Sequence, residues 1–136
     1  MRLSSIAAVC ALSLFSTVCA AQGNKPITSG NAQIVRGVNP TSCDAANIGT
    51  GNNPPVGPRG DLDNLSVSCT DDPRVTVTEL RENLPNPHAC VATLSSLRSA
   101  RRDVLLVRDP TNDNPYHCQL STITPNQFVS GAKFRN

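Results

Sequence analysis

Four cysteines, Cys43, Cys69, Cys90 and Cys118, constrain the folding of this chain more than any other feature. They sit in a stretch with little else to hold a fold together. Beyond residue 21 the aromatic side chains are Tyr116, Phe128 and Phe134, and there is no Trp. A small domain buries proportionally less of its surface than a large one, so a thin core calls for covalent help. The start of the chain says whether that help can form. Met1-Arg2 is a short positive start, Ile6 to Val18 is uncharged and apolar, and Cys19-Ala20-Ala21 ends the run with small residues. That is the order of a secretory leader. The apolar run, about 13 residues, is too short for the roughly 20 that span a bilayer. The expectation is a signal peptide over residues 1–20, cut after Ala20 or Ala21, that takes Cys10 and Cys19 with it.

Export places the remaining four cysteines in an oxidising route, where an even number reads as two disulfides. Each loop of about 26 to 28 residues closed this way stabilises by roughly 3 to 4 kcal/mol in the chain-entropy model. A zinc site is the competing reading, because His88 lies two before Cys90 and His117 adjoins Cys118. The chain has no CxxC pair, so no metal and no other cofactor is expected. The mature chain of about 115 residues is one domain in length. Losing Arg2 leaves eleven basic against ten acidic side chains, a net charge of +1. That balance is wrong for a nucleic-acid binder, and with the leader gone no membrane segment is left. A monomer is expected.

Residues 21–60 are polar and rich in Gly, Asn and Pro, and read as a loop-rich N-terminal arm with one strand through Ile34 and Val35. The stretch from Gly49 to Gly60 is a loop by composition. Residues 61–136 read as the disulfide-stabilised core. Leu65-Ser66-Val67-Ser68-Cys69 alternates as a half-buried strand does. Thr76 and Glu79 have capping-box spacing, which points to a short helix over Glu79 to Asn83. Asn86 suits an N-cap and Pro87 a first helical position, and Cys90, Leu94, Leu97 and Arg101 then share one face. The longest helix is therefore expected from His88 to Arg101, with Arg98, Arg101 and Arg102 on its negative end. Val104 to Val107 and Tyr116 to Thr122, joined by the Asp109–Pro115 turn, make a hairpin. Thr124-Pro125 starts a last helix holding Phe128 and Val129. The fold class is α+β: a small disulfide-stabilised domain, with an antiparallel sheet of three to four strands and one main helix. Four cysteines allow three pairings. Cys90 with Cys118 is preferred, as a staple from the helix to the sheet, and Cys43 with Cys69 follows by elimination.

Candidates for chemistry are few. His88 and His117 would flank the preferred disulfide, and a secreted ribonuclease uses two histidines as general base and acid. Glu79, Arg81 and Arg108 would complete such a set. Against it, His88 falls in the first turn of a helix, and His117 points away from the Cys118 face toward solvent. Asp71 and Asp72 precede a Pro and read as a turn and a cap. No Gly-x-Ser-x-Gly elbow is present. Asn64-Leu65-Ser66 is an N-glycosylation sequon, and Arg101-Arg102 reads as a solvated helix end rather than a processing site.

The start Met1-Arg2-Leu3-Ser4-Ser5-Ile6-Ala7-Ala8, the leader ending Cys19-Ala20-Ala21, the four later cysteines and the lack of a catalytic motif together resemble the small secreted cysteine-containing proteins of filamentous fungi. Many of those are candidate effectors, exported to act on a host. The resemblance covers the plan of the chain and carries over no functional residue. It implies a compact α+β or β-sandwich fold, an extracellular location and a role in virulence. It also implies an unknown host protein or cell-surface molecule as partner, bound without catalysis. A small secreted ribonuclease-like enzyme is the alternative, followed by a secreted toxin or inhibitor.

Overall fold

A computed structural model describes residues 25–49 and 58–136. The leader at 1–20 and most of the Gly49–Gly60 loop lie outside the described residues. The rest forms one antiparallel sheet of six strands, not three or four. They are β1 (Gln33–Val38), β2 (Leu65–Thr70), β3 (His88–Thr93), β4 (Leu105–Arg108), β5 (His117–Ser121) and β6 (Ala132–Arg135), ordered β4-β5-β2-β1-β3-β6. Three short helices accompany them: α1 (Val77–Glu82), α2 (Leu94–Ala100) and α3 (Pro125–Gly131). The α+β class and the two disulfides stand.

The arm read at 21–60 supplies β1, which lies inside the sheet between β2 and β3. Ile34 and Val35 are completely buried, on opposite faces of the strand. Ile34 joins the larger core with Leu65, Leu94, Leu97, Leu120 and Phe128. Val35 joins a smaller one with Leu80 of α1 and Ala89 of β3. Residue 60 therefore does not divide arm from core: Ile27, Ile48 and Cys43 also pack with the larger cluster.

The expected helix from His88 to Arg101 is two elements. His88–Thr93 is a strand paired with β1 on one side and β6 on the other. Only from Leu94 does the chain turn helical. Thr93 is the N-cap: its hydroxyl accepts from Ser96 N–H, and Ser96 Oγ accepts from Thr93 N–H, both at 3.1 Å. The spacing of Cys90, Leu94 and Leu97 imitated one helical face. A strand whose two faces are both covered shows no polar–apolar alternation, so nothing in His88-Ala89-Cys90-Val91-Ala92 marked it as a strand. Asn86 is no N-cap here; its side-chain amide donates to Asn39 Oδ1 at 2.9 Å.

The short helices follow their caps. Thr76 caps α1 with the capping box its spacing predicts. Thr124 and Gln127 do the same for α3, with Pro125 in its first turn. The helices α2 and α3 touch so closely that a Cβ on Gly131 would come within 2.9 Å of Leu97 Cδ2 and 3.0 Å of Ser96 O. Both sheet edges are protected. Along β4, Ile27 N–H donates to Leu106 O at 2.8 Å. Along β6, exposed Lys133 and Arg135 make the edge charged, which discourages pairing with another chain.

The disulfides are Cys43–Cys90 and Cys69–Cys118, so the preferred Cys90–Cys118 and Cys43–Cys69 pairing is wrong. The reason is strand order. Cys90 on β3 and Cys118 on β5 are three strand positions apart, roughly 14 Å at about 4.8 Å per strand. A disulfide needs Cα atoms within about 7 Å. Cys69 and Cys118 lie on neighbouring strands, on the same face, with Cα atoms 5.9 Å apart. The bonds span 47 and 49 residues, so each stabilises by roughly 4 kcal/mol in the chain-entropy model. Peptide mapping of the unreduced protein should recover these two linked pairs, and Cys69→Ala with Cys118→Ala should lower the unfolding free energy by about 2 to 5 kcal/mol. A Cys90–Cys118 peptide would contradict the strand order itself.

Candidate functional site

Strand register decides where the two histidines go. His88 sits opposite Val38 and two residues from Cys90, on the face of the larger core. Its ring meets Phe134 at a centroid distance of 5.6 Å, and its Nδ1 is buried with no hydrogen-bond partner among the described residues. His117 sits opposite Ser68 and next to Cys118, whose side chain is in the larger core. Successive side chains of a strand point to opposite faces, so His117 is on the other side of the sheet from His88. Both expected surroundings are corrected: His88 is in a strand rather than a first helical turn, and His117 is only 18 % exposed rather than solvated. The His117 Nδ1 lies 2.7 Å from the backbone oxygen of Asp109. A carbonyl only accepts, so Nδ1 carries the hydrogen of that bond.

The residues expected to complete a ribonuclease-like set are spent on structure. Glu79 closes the capping box of α1, and its hydrogen bond from Thr76 N–H holds its carboxyl below the ordinary range. Arg81 donates to the carbonyls of Asn136 at 2.5 Å and Pro87 at 3.0 Å. Arg108 pairs with Asp71. The neighbouring Asp72 binds Arg74, which pulls its pKa down to about 2, so the adjacent acids are each tied to a different Arg. Arg101 bridges Asp61 and Asp103 with its side chain 16 % exposed, while Arg102 is exposed. Asn64 is exposed just before β2, with φ 54°, a left-handed conformation that Asn tolerates. All four cysteines are oxidised. Among the described residues no three His, Cys, Asp or Glu side chains cluster as a metal site would need, and no helix is long and apolar enough to cross a membrane.

The structure instead gathers polar side chains at a place the sequence did not single out. β1 and β2 pair only over Gln33–Val35 and Ser68–Thr70. Beyond that point β1 continues beside β3, and β2 continues beside β5. The sheet forks there. Arg36 reaches across, its Nη1 2.7 Å from Ser66 O. A groove of about 280 Å³ opens at the fork, lined among others by Arg36, Ser66, Asn83, Asn86, Asn114 and His117. Asn114 is its fixed wall. It is buried, donates to Ser68 Oγ at 2.8 Å and accepts from Tyr116 N–H at 2.9 Å. A charged residue inside the apolar run Ile34-Val35-Arg36-Gly37-Val38 was the one sequence signal that pointed here. Asn83, Asn86 and Asn114 read only as cap and turn residues.

No protein-family model matches the chain, and no curated protein or solved structure shows significant similarity to it. The groove is therefore described by its own chemistry alone. Asn114→Ala should lower the unfolding free energy by about 2 kcal/mol, because it strands both the Ser68 hydroxyl and the Tyr116 N–H. His117→Ala should cost less, since its ring borders the groove. Urea unfolding of the two variants gives the order directly, and a costlier His117→Ala would count against Asn114 as the wall of the groove.

Proposed function

We propose that this chain is a secreted effector-like protein that binds a host molecule through its surface and carries out no catalysis. The observation that carries the reading is the placement of His88 and His117 on opposite faces of the sheet. A base and an acid that act on one phosphate must flank the same scissile bond. A six-stranded sheet lies between these two rings. The cations that would serve the phosphate are already bonded elsewhere, Arg81 to two carbonyls and Arg108 to Asp71.

Further support is indirect. The leader-like start fits export, and two disulfides suit an extracellular life. Exposure of Asn64 suits a glycan at the sequon. One covered edge strand, β4, and one charged edge strand, β6, suit a protein that works as a monomer. The working surface is assigned to loops and exposed polar groups, which is how a rigid small scaffold commonly carries binding. The partner is a host protein or a cell-surface molecule.

Export has a direct check. N-terminal sequencing of the protein recovered from culture supernatant should begin at Ala21 or Gln22, and a retained Met1 would remove the secretory premise. The non-catalytic reading is checked by the double variant His88→Ala with His117→Ala. If it keeps its disulfides and its cooperative unfolding, its host-directed activity should equal that of the parent. RNA cleavage by the parent that disappears in the double variant would establish the ribonuclease-like reading instead.

A further inference from the structure

We propose that the fork between β1 and β2 is a binding site for an acidic group, a carboxylate or a phosphate, anchored by Arg36. This goes beyond the proposed function, because it concerns what the fork holds whether or not the occupant comes from a host. Arg36 stands where a ladder hydrogen bond would otherwise be, with Nη1 on Ser66 O. Its Nε is buried and has no hydrogen-bond partner among the described residues. Among the described residues no carboxylate is paired with its guanidinium. Burial also lowers its pKa from the ordinary Arg value. A charge taken out of water without a counter-charge is expensive. Arg36 is half-buried, so the folded protein already carries part of that cost, and an arriving anion gains the attraction against a reduced desolvation penalty.

The walls suit the same ligand. Among the described residues no acidic one lines the groove, and Asp109 lies against the Nδ1 side of His117 without lining it. Asn83 donates one N–H to Glu79 O, and Asn86 donates one to Asn39. A side-chain amide has two such hydrogens, so each keeps one for an oxyanion. A Cβ on Gly37 would collide with Asn86, so glycine lets this wall sit low against β1. The volume of about 280 Å³ is several times the roughly 30 Å³ share of one water, which admits a phosphate or a carboxylate. A purely structural Arg36 would explain the bond to Ser66 but not a groove whose ionic lining is free of acid.

The test is a ¹H–¹⁵N NMR titration of the oxidised protein with inorganic phosphate and, separately, with acetate, at an ionic strength held constant with sodium chloride. Saturable shifts are expected at Gly37, Ser66, Asn83, His117 and the Arg36 side chain, and the tighter of the two anions names the chemical source. Arg36→Met should weaken binding by roughly tenfold or more, as loss of a charged hydrogen bond does. Because Arg36 also holds the fork, that variant can fail to fold. Asn83→Asp leaves the Ser66 bond intact, gives up the donation to Glu79 O and adds a negative wall, so it should weaken binding by a similar factor while keeping the parent spectrum outside the groove and the end of α1. Absence of groove shifts with both anions at matched ionic strength, or shifts undiminished in Asn83→Asp, would overturn the proposal.

Discussion

β1 hydrogen-bonds to β2 on one side and to β3 on the other, and the rest of the molecule depends on that double pairing. Like its neighbour β3, it touches both hydrophobic clusters, through Ile34 on the larger and Val35 on the smaller. With it in place, β2 carries β5 and β4 outward on one flank, and β3 carries β6 on the other. The helices then have fixed floors to cover: α1 over Val35, with α2 and α3 over the opposite face. Without β1 the sheet would be two separate pieces, a three-stranded one and a two-stranded one. Neither would bury enough surface to stand alone.

The larger core is built from aliphatic side chains around a single buried Phe128. Such a core gains less per residue than one filled by aromatic rings. The two disulfides lie in this same cluster, Cys69–Cys118 across the β2–β5 pair and Cys43–Cys90 from the loop after β1 to β3. They act on opposite flanks of β1. Each closes a loop that crosses the sheet, so together they limit the freedom of the unfolded chain where the core is weakest in large side chains. The fork arises from the same arrangement. β1 follows β3 beyond Val35 while β2 follows β5, and the half-buried Arg36 side chain fills the gap that backbone pairing leaves open. A carboxylate partner there would have made Arg36 a closed structural ion pair; its absence among the described residues is what makes the groove chemically distinct.

Much of the local structure was legible. The alternation of Leu65-Ser66-Val67-Ser68-Cys69, the hairpin of Val104–Val107 with Tyr116–Thr122, and the caps at Thr76 and Thr124 all depend on residues close in sequence, and they formed as local chemistry directs. His88–Thr93 did not, because its character as a strand comes from β1 and β6 pressing on both sides of it. Ala132–Arg135 was invisible for a similar reason. It is short, and it becomes a strand only because α3 delivers it to the edge of β3. The groove was less legible still. Arg36, Asn83, Asn86 and Asn114 are far apart in the chain, and each has an ordinary local reading as a strand, cap or turn residue.

A small α+β domain with a thin core, held by two disulfides, with caps at Thr76 and Thr124 and a hairpin turn at Asp109–Pro115, was readable from the chain alone. Those properties follow from composition, cysteine number and short-range hydrogen bonding. Tertiary structure alone decided the disulfide partners, the six-strand order, the separation of His88 from His117, and the fork at Arg36. All four depend on which strands become neighbours. That choice is made by burying Ile34 and Val35 on two faces at once, a long-range packing effect that no window of adjacent residues records.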